Sequence, residues 1–291
     1  MLVLVTAFTV VMVGMAALVV DVGALRDEQR QLQNGADAGA LAVAQSCALG
    51  SCDLALAPGL ADANSQDRES AVDSVSYPTA NSVRVVTSSR SDGGRTTILP
   101  SSFAQAFSGV AGTTVRASAT AAWGPPSSAR SLPLAISECD LAKYRLTTLP
   151  AVLLFKKNPG CEGSLDSPGS FGWLDTGCPD AMPAPISIGA GVPGDTGASG
   201  PSATCLDSSL GKDVLLPVYS TVVVVNGKRS YTIVGFAALR LTGWRFARGQ
   251  SLLPACGSSE SCIAGTFIKY VTTSETGGGT DFGVSRVFLV R

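Results

Sequence analysis

Residues 1–45 constrain the fold more than any other part of the chain. The segment 1–20, MLVLVTAFTVVMVGMAALVV, contains no charged residue and no proline. Because an α-helix rises ~1.5 Å per residue, this run would extend ~30 Å, the thickness of a bilayer's hydrocarbon core. Beyond Asp21 the apolar residues recur at helical spacing with charged residues between them, at Leu25, Leu32, Ala36, Ala40 and Val43. The pattern predicts one long helix whose first half lies in lipid and whose second half is amphipathic and lies outside it.

The apolar run is also compatible with a cleaved signal peptide, for which Ala16 and Ala17 would supply small residues near a cleavage site. Its length favours a membrane span instead. No Lys or Arg comes before it, although basic residues normally hold this end of a span in the cytoplasm. We expect the natural start to lie upstream of Met1. The alternative is that Arg26 and Arg30 compete to set the orientation.

All the cysteines lie beyond the apolar run, at Cys47, Cys52, Cys139, Cys161, Cys178, Cys205, Cys256 and Cys262. An even number of cysteines after a hydrophobic N-terminal segment favours disulfides on the oxidising side of the membrane, with buried free thiols as the alternative. We predict local bridges Cys47–Cys52 and Cys256–Cys262, and, from proximity in the sequence, Cys139–Cys161 and Cys178–Cys205. The chain is therefore predicted to be a single-pass protein of the cell membrane with its C-terminal region extracytoplasmic.

Composition argues against several classes of function. Charged residues make up only 15% of the chain and the formal net charge is -1, which argues against an electrostatic nucleic-acid binder, since such a protein needs a basic stripe to meet the phosphates. Histidine is absent, which removes Ser-His-Asp and Cys-His catalysis and the commonest metal ligand. No C-x-x-C pair occurs, so the usual zinc spacing is missing too. We predict no catalytic residue, no metal site and no cofactor.

Four sets of residues resemble functional motifs, and each has a simpler explanation. Residues 189–194 spell G-x-G-x-x-G, but Pro193 disfavours the helix that a nucleotide site needs, and a loop is expected. Ser209 and Lys212 have S-x-x-K spacing, which Gly211 weakens, and no K-T-G strand accompanies them. The acidic residues Asp175, Asp180, Asp195 and Asp207 match no calcium loop and are expected in solvent. The aromatic residues Phe171, Trp173 and Trp244 are expected to anchor the core or loops rather than bind sugar.

Patterning predicts an α+β chain with a β-rich C-terminal part. After the helix of residues 1–46, residues 47–125 form a small unit in which 62–76 are mildly helical and 81–123 have the order strand, strand, helix, strand. Residues 126–133, PSSARSLP, form a linker. The remaining residues, 134–291, form a Cys-rich β domain, with 134–212 as loops held by bridges. Asn226-Gly227 marks its hairpin.

The segment AALVVDVGALRDEQRQLQNGADAGALAVAQ, residues 16–45, resembles the N-terminal region of TadE/TadG-like proteins of the Flp (Tad, tight-adherence) pilus system. In that family an apolar helix continues into a D-x-G and then a Q-L-Q-N-x-A-D-A helix. The matching positions are Asp21, Gly23, Gln31, Leu32, Gln33, Asn34, Ala36, Asp37 and Ala38. The resemblance extends to about residue 125, and more loosely to the C-terminal halves of actinobacterial-type members.

The resemblance implies a membrane-anchored, pilin-like component of Flp pilus assembly or surface adhesion, without enzyme activity. Its expected partners are the membrane and pilus or secretion-platform proteins, with helix–helix self-association through small residues of the long helix. The alternative function is that of a stand-alone extracytoplasmic binding module, anchored in the membrane, that recognises a glycan or a surface protein.

Overall fold

The chain forms two compact units, which are described separately. The computed structural model describes residues 2–66, 68, 70–90, 99–100, 112–144, 151–154, 161, 171–176, 185–196, 204–246, 249–251, 256–258, 260–272 and 277–290. The first unit comprises Met1–Trp123 together with Val287–Arg291, and the second comprises Gly124–Arg286. The described residues combine one very long helix with a predominantly β C-terminal part that contains disulfides, so the fold is α+β as predicted.

The first unit is built on its long N-terminal helix. Its described elements are α1 (Leu2–Leu49), α2 (Leu56–Ala63), β1 (Ser70–Thr79), β2 (Ser82–Ser89), β3 (Leu99–Pro100), β4 (Gly112–Thr113) and β5 (Arg116–Gly124). Helix α1 has 48 residues and would extend about 72 Å at the standard rise. Strands β1, β2 and β5 are consecutive neighbours in an antiparallel sheet.

The second unit is a β-rich domain with short helices. Its described elements are β6 (Ser128–Ala129), β7 (Leu134–Ser137), α3 (Glu138–Tyr144), β8 (Ala151–Leu154), β9 (Phe171–Leu174), β10 (Ile186–Ser187), β11 (Gly191–Thr196), α4 (Thr204–Asp207), β12 (Asp213–Val225), β13 (Lys228–Phe246), β14 (Gly249–Gln250), β15 (Cys262–Ile268), β16 (Tyr270–Thr272), β17 (Thr280–Asp281) and β18 (Val284–Val290). The last residues of β18, from Val287, belong to the first unit.

Five strands of the second unit close into a ring. Strand β13 pairs with β12 and with β11, β11 pairs with β9, β9 pairs with β7, and β7 returns in parallel to β12. The side chains of β7 alternate between two buried clusters: Leu134 and Ile136 lie in one, and Ala135 lies in the other. Both faces of β7 are therefore buried, as expected of its apolar run.

The hairpin of β12 and β13 forms where the sequence predicts it. Val225 pairs with Lys228 around the two-residue loop of Asn226 and Gly227. Both loop residues have positive φ, 52° and 78°, the conformation of a type I′ turn that Asn-Gly favours.

Three predictions of local structure are wrong. Residues 62–76 are not mildly helical, because α2 ends at Ala63 and β1 begins at Ser70. Residues 126–133 are not a linker, because Ala129 and Leu132 are buried and β6 pairs with β10. The described part of residues 134–212 does not consist of loops alone, since it supplies β7, β9 and β11 to the ring. In each case strand pairing outweighs a weak local pattern: β1 pairs with β2 across a turn, and the other segments pair with strands distant in sequence.

Candidate functional site

The first half of α1 exposes apolar side chains on all sides. From Leu4 to Val22 its large apolar side chains are between 42% and 76% exposed. This helix is long and apolar enough to cross a membrane, and only 6% of its most apolar window is buried within the protein. Soluble proteins rarely leave a contiguous apolar surface of this size in water.

The second half of α1 is packed into the first unit along one stripe. Leu32, Ala36, Ala40 and Val43 are fully buried, and the heptad-like spacing 32, 36, 40, 43 places them on one face. The last three share a core with side chains from two strands, Val83 and Val85 of β2 and Ala119 and Ala121 of β5. The sequence therefore predicted the buried face of this half of the helix correctly.

Glycines let α2 lie directly against α1. A Cβ at Gly35 would lie 3.1 Å from the Cα and from the carbonyl oxygen of Ala61. A Cβ at Gly39 would lie 3.4 Å from the Cα of Ala57. Ala57 and Ala61, one turn apart on α2, are both fully buried. The sequence analysis missed α2, although small residues at i and i+4 in LAPGLADA are a detectable signal.

Polar side chains of the motif also connect α1 to the rest of the first unit. The Nε2 of Gln31 donates to Asp27 (2.9 Å), and its Oε1 accepts from the backbone N–H of Gln66 (2.8 Å). The Nε2 of Gln33 donates to the Oδ1 of Asp37 (2.8 Å) and to the carbonyl oxygen of Ser118 in β5 (3.2 Å). The two glutamines of Q-L-Q thus hold two different parts of the chain.

Leu32, between these two glutamines, is held in place through both its side chain and its backbone. The side chain of Leu32 is fully buried, and its carbonyl oxygen accepts a hydrogen bond from the hydroxyl of Thr87 in β2 (2.9 Å). Of the other motif positions, Ala36 is fully buried, Ala38 and Asp21 are partly buried, and Gly23 and Asn34 are exposed. The motif positions that contact the fold lie mainly in residues 31–37.

A polar groove lies beside Gln33 and Asp37. It has a volume of about 430 Å³ and is lined by Gln33, Asp37, Arg84, Ser118, Ala119, Thr120, Leu289 and Val290. Arg84 is held by a hydrogen bond from its Nη2 to the Ser118 hydroxyl (3.0 Å). The groove exposes one carboxylate and one guanidinium, but no group in it is arranged as a nucleophile and base.

A charged cluster fastens the edge of the sheet. Asp73, at a register shift in β1, accepts hydrogen bonds from Ser88 (2.6 Å), Arg90 (2.9 Å) and Arg116 (3.2 Å). Burial would raise the pKa of Asp73, but these hydrogen bonds and the charge of Arg90 outweigh it and hold that pKa below its ordinary value. The sequence analysis missed this cluster, because its members lie on three different strands or their ends.

The described disulfides join Cys47 to Cys52, Cys139 to Cys161 and Cys256 to Cys262. These are three of the four pairs expected from the sequence. The fourth, Cys178–Cys205, lies outside the residues whose side chains the structure describes.

The motif-like residues of the second unit are placed as structural elements. Residues 191–194 lie in strand β11, so the G-x-G-x-x-G spelling does not open a helix. Ser209 and Lys212 form a turn in which the N–H of Lys212 donates to the Ser209 carbonyl (3.2 Å).

The tryptophans of this unit belong to its core. Trp173 and Trp244 are 5% and 1% exposed, so neither can stack on a sugar. The Nε1 of Trp244 donates to Asp207 (3.1 Å), which gives that acid a structural partner. Among the described residues, no group of three or more potential ligands could hold a metal ion.

Comparison with known proteins bears on the helix alone. The family model of putative Flp pilus-assembly TadE/G-like proteins matches residues 1–46. Neither a curated protein nor a solved structure matches the chain. The match ends in the last turn of the packed half, so the expected extension of the resemblance to residue 125 stays a prediction. Residues 1–46 of this chain are therefore similar to TadE/G-like Flp pilus-assembly proteins.

Proposed function

We propose that the protein is a membrane-anchored, pilin-like component of Flp pilus assembly or adhesion, with its C-terminal region outside the cell membrane and without enzyme activity. The observation that carries the proposal is the coincidence of the family match with a single helix of two halves. One half exposes a predominantly apolar surface, and the other is built into a folded unit.

The exposed half of α1 suits lipid better than water. Each large side chain left in water forgoes on the order of 1.5–3 kcal/mol of burial, and exposed ones recur along the helix from Leu4 to Val22. The first charged residue is Asp21, and Arg26 and Arg30 are exposed just beyond it. The apolar half thus ends where the polar half begins, as at a membrane surface.

The continuity of the helix favours an anchor over a cleaved signal peptide. The packed half begins within one further turn of Arg30, at Leu32, and no break separates it from the apolar half. The bridges Cys139–Cys161 and Cys256–Cys262 support the extracytoplasmic placement of the second unit, because disulfides persist in oxidising compartments.

The function is tested by genetics and co-purification in the source cell. The gene is deleted and replaced by an epitope-tagged copy, and the tagged protein is isolated from detergent-solubilised membranes. We expect secretion-platform or pilin subunits to co-purify and pili to be reduced in the deletion strain.

A matched pair of variants separates anchoring from folding. Val13→Glu places a charge in the middle of the apolar half, whereas Val13→Leu keeps that position apolar. We expect V13E to leave the membrane fraction and V13L to remain in it.

Unchanged pili in the deletion strain, with a tagged protein that purifies without pilus proteins, would favour the stand-alone binding module instead.

A further inference from the structure

At the end of the β12–β13 hairpin, the outer edge of β12 has no partner among the described strands. Strand β7 pairs with β12 only at Val218 and Tyr219. Within the described residues, no strand pairs with residues 221–225 on the side away from β13. The other arm differs, since β11 covers Arg229–Thr232 of β13.

The unpaired edge is apolar and uncharged. Val223, Val224 and Val225 are 49%, 54% and 53% exposed. Proteins usually protect edge strands with lysine, proline or a bulge, because an unprotected edge pairs with another strand. Edge strand β1 of the first unit follows this rule, with Pro78 and two register shifts. In β12, Pro217 and two register shifts lie before Thr221, so the segment 221–225, TVVVV, itself contains no lysine, proline or register shift.

The hairpin register fixes which backbone groups point outward. Val225 and Lys228 enclose a two-residue turn and are therefore a hydrogen-bonded pair. Bonded and non-bonded pairs alternate along an antiparallel ladder. Val223 is thus bonded inward to β13, whereas Val222 and Val224 direct their N–H and C=O groups outward.

We propose that this edge pairs with the same edge of a second copy of the chain, antiparallel, about a two-fold axis at Val223. In this register Val222 of one copy lies opposite Val224 of the other, and the outward groups of both residues form hydrogen-bonded pairs. Val223 faces Val223 of the second copy in a non-bonded pair, where Cα atoms approach to about 4.5 Å. The contact is isologous, so it closes as a dimer.

Charge and side-chain shape favour a second copy over other occupants. No charged residue lies between Asp213 and Lys228, so like edges do not repel. Lys228 is not on the edge strand: it lies on β13, across the turn from Val225, and is paired with Asp175 (3.5 Å). β-Branched side chains such as valine pack well against their neighbours on a pleated surface.

Cysteine cross-linking in the full chain tests the register. The chain is reconstituted into liposomes, and Val223→Cys is compared with Val225→Cys under mild oxidation on a non-reducing gel. The two valines are equally exposed, but in the proposed register the two copies of residue 225 are offset by four residues, or roughly 14 Å, beyond the reach of a disulfide. The wild-type chain controls for exchange with the native bridges.

We expect V223C to form at least about tenfold more disulfide-linked dimer than V225C, since only its Cα atoms approach within bridging distance. Adding Val224→Lys to V223C should abolish the dimer, whereas the isosteric Val224→Thr should retain it. Equal cross-linking of V223C and V225C, or none by V223C, would overturn the proposal. Quenching by brominated lipid of a bimane label on the new thiol of V223C would also overturn it, by assigning the hairpin to the bilayer.

Discussion

At the residue scale, the packed half of α1 depends on Gly35, where any side chain would press against the backbone of α2. A Cβ at Gly35 would lie 3.1 Å from backbone atoms of Ala61, and backbone cannot move aside as a flexible side chain can. Gly23 lies in the same helix, and a Cβ at that position would have no neighbouring atom within 4 Å. Two glycines of one helix thus have different roles.

Gly35→Val is expected to lower the free energy of unfolding of the first unit by about 1–3 kcal/mol, because it forces α2 away from α1. Gly23→Ala, the control, should leave it unchanged or raise it by up to about 1 kcal/mol, since alanine is the better helix former. Urea unfolding of the full chain in detergent, followed by circular dichroism, measures both. A G35V variant as stable as the wild type would contradict the packing described.

Asp73 makes stability depend on pH. Its pKa in the folded protein is lowered, so its contribution is present above the ordinary carboxyl value near 3.8 and is lost as pH falls through the lower folded value. Asp73→Asn should therefore cost about 1 kcal/mol at pH 7, with the difference from wild type shrinking below the ordinary pKa. Unfolding of wild type and D73N, measured at pH 7 and at a pH below the ordinary carboxyl pKa, checks the direction of this change. A stability difference that grows in acid would refute the prediction.

At the element scale, the stripe of α1 is the principal connection between the helix and its sheet. Leu32 is its largest member and is fully buried. Leu32→Ala should destabilise the first unit by about 2–5 kcal/mol, the usual cost of a core cavity. Gln29→Ala, on the exposed face, is the control and should change stability little. Pulse proteolysis in urea compares the two, and equal resistance would show that the stripe is not a core.

The two described disulfides of the second unit should contribute different amounts to the free energy of unfolding. Cys139–Cys161 closes a loop with a sequence separation of 22, and Cys256–Cys262 closes one of 6. Loop-closure entropy predicts about 3 kcal/mol for the first and about 2 kcal/mol for the second. The double variant C139S/C161S should therefore unfold at lower denaturant than C256S/C262S. The reverse order would show that strain or residual structure, rather than loop length, decides.

Sequence patterns predicted the elements whose signals are local. The buried stripe of α1 follows from helical periodicity, and the β12–β13 hairpin follows from Asn226-Gly227 between apolar runs. Strand β1 could not be predicted, because its half-buried residues gain their partners only from β2, on the other side of a turn. The ring of strands in the second unit could not be predicted either, since β7 pairs in parallel with β12, about eighty residues away in the sequence.

At the scale of the whole molecule, we propose that one helix serves both as a membrane anchor and as a structural element of the first unit. The same 48 residues contain the apolar surface, the TadE/G-like match and the stripe on which the first unit is built. A variant that disrupts the apolar half should release a folded protein from the membrane, whereas one that disrupts the stripe should leave an anchored but unstable protein. Membrane fractionation measures the first effect, release from the membrane, and protease resistance measures the second, loss of stability.

The orientation of the chain tests the central claim most directly. An epitope is placed after Arg291, and intact spheroplasts are treated with protease before and after lysis. We predict that the epitope is removed from intact spheroplasts and that the protected fragment contains the apolar half of α1. An epitope that survives in intact spheroplasts and is lost only after lysis would place the C-terminal region in the cytoplasm and contradict the account.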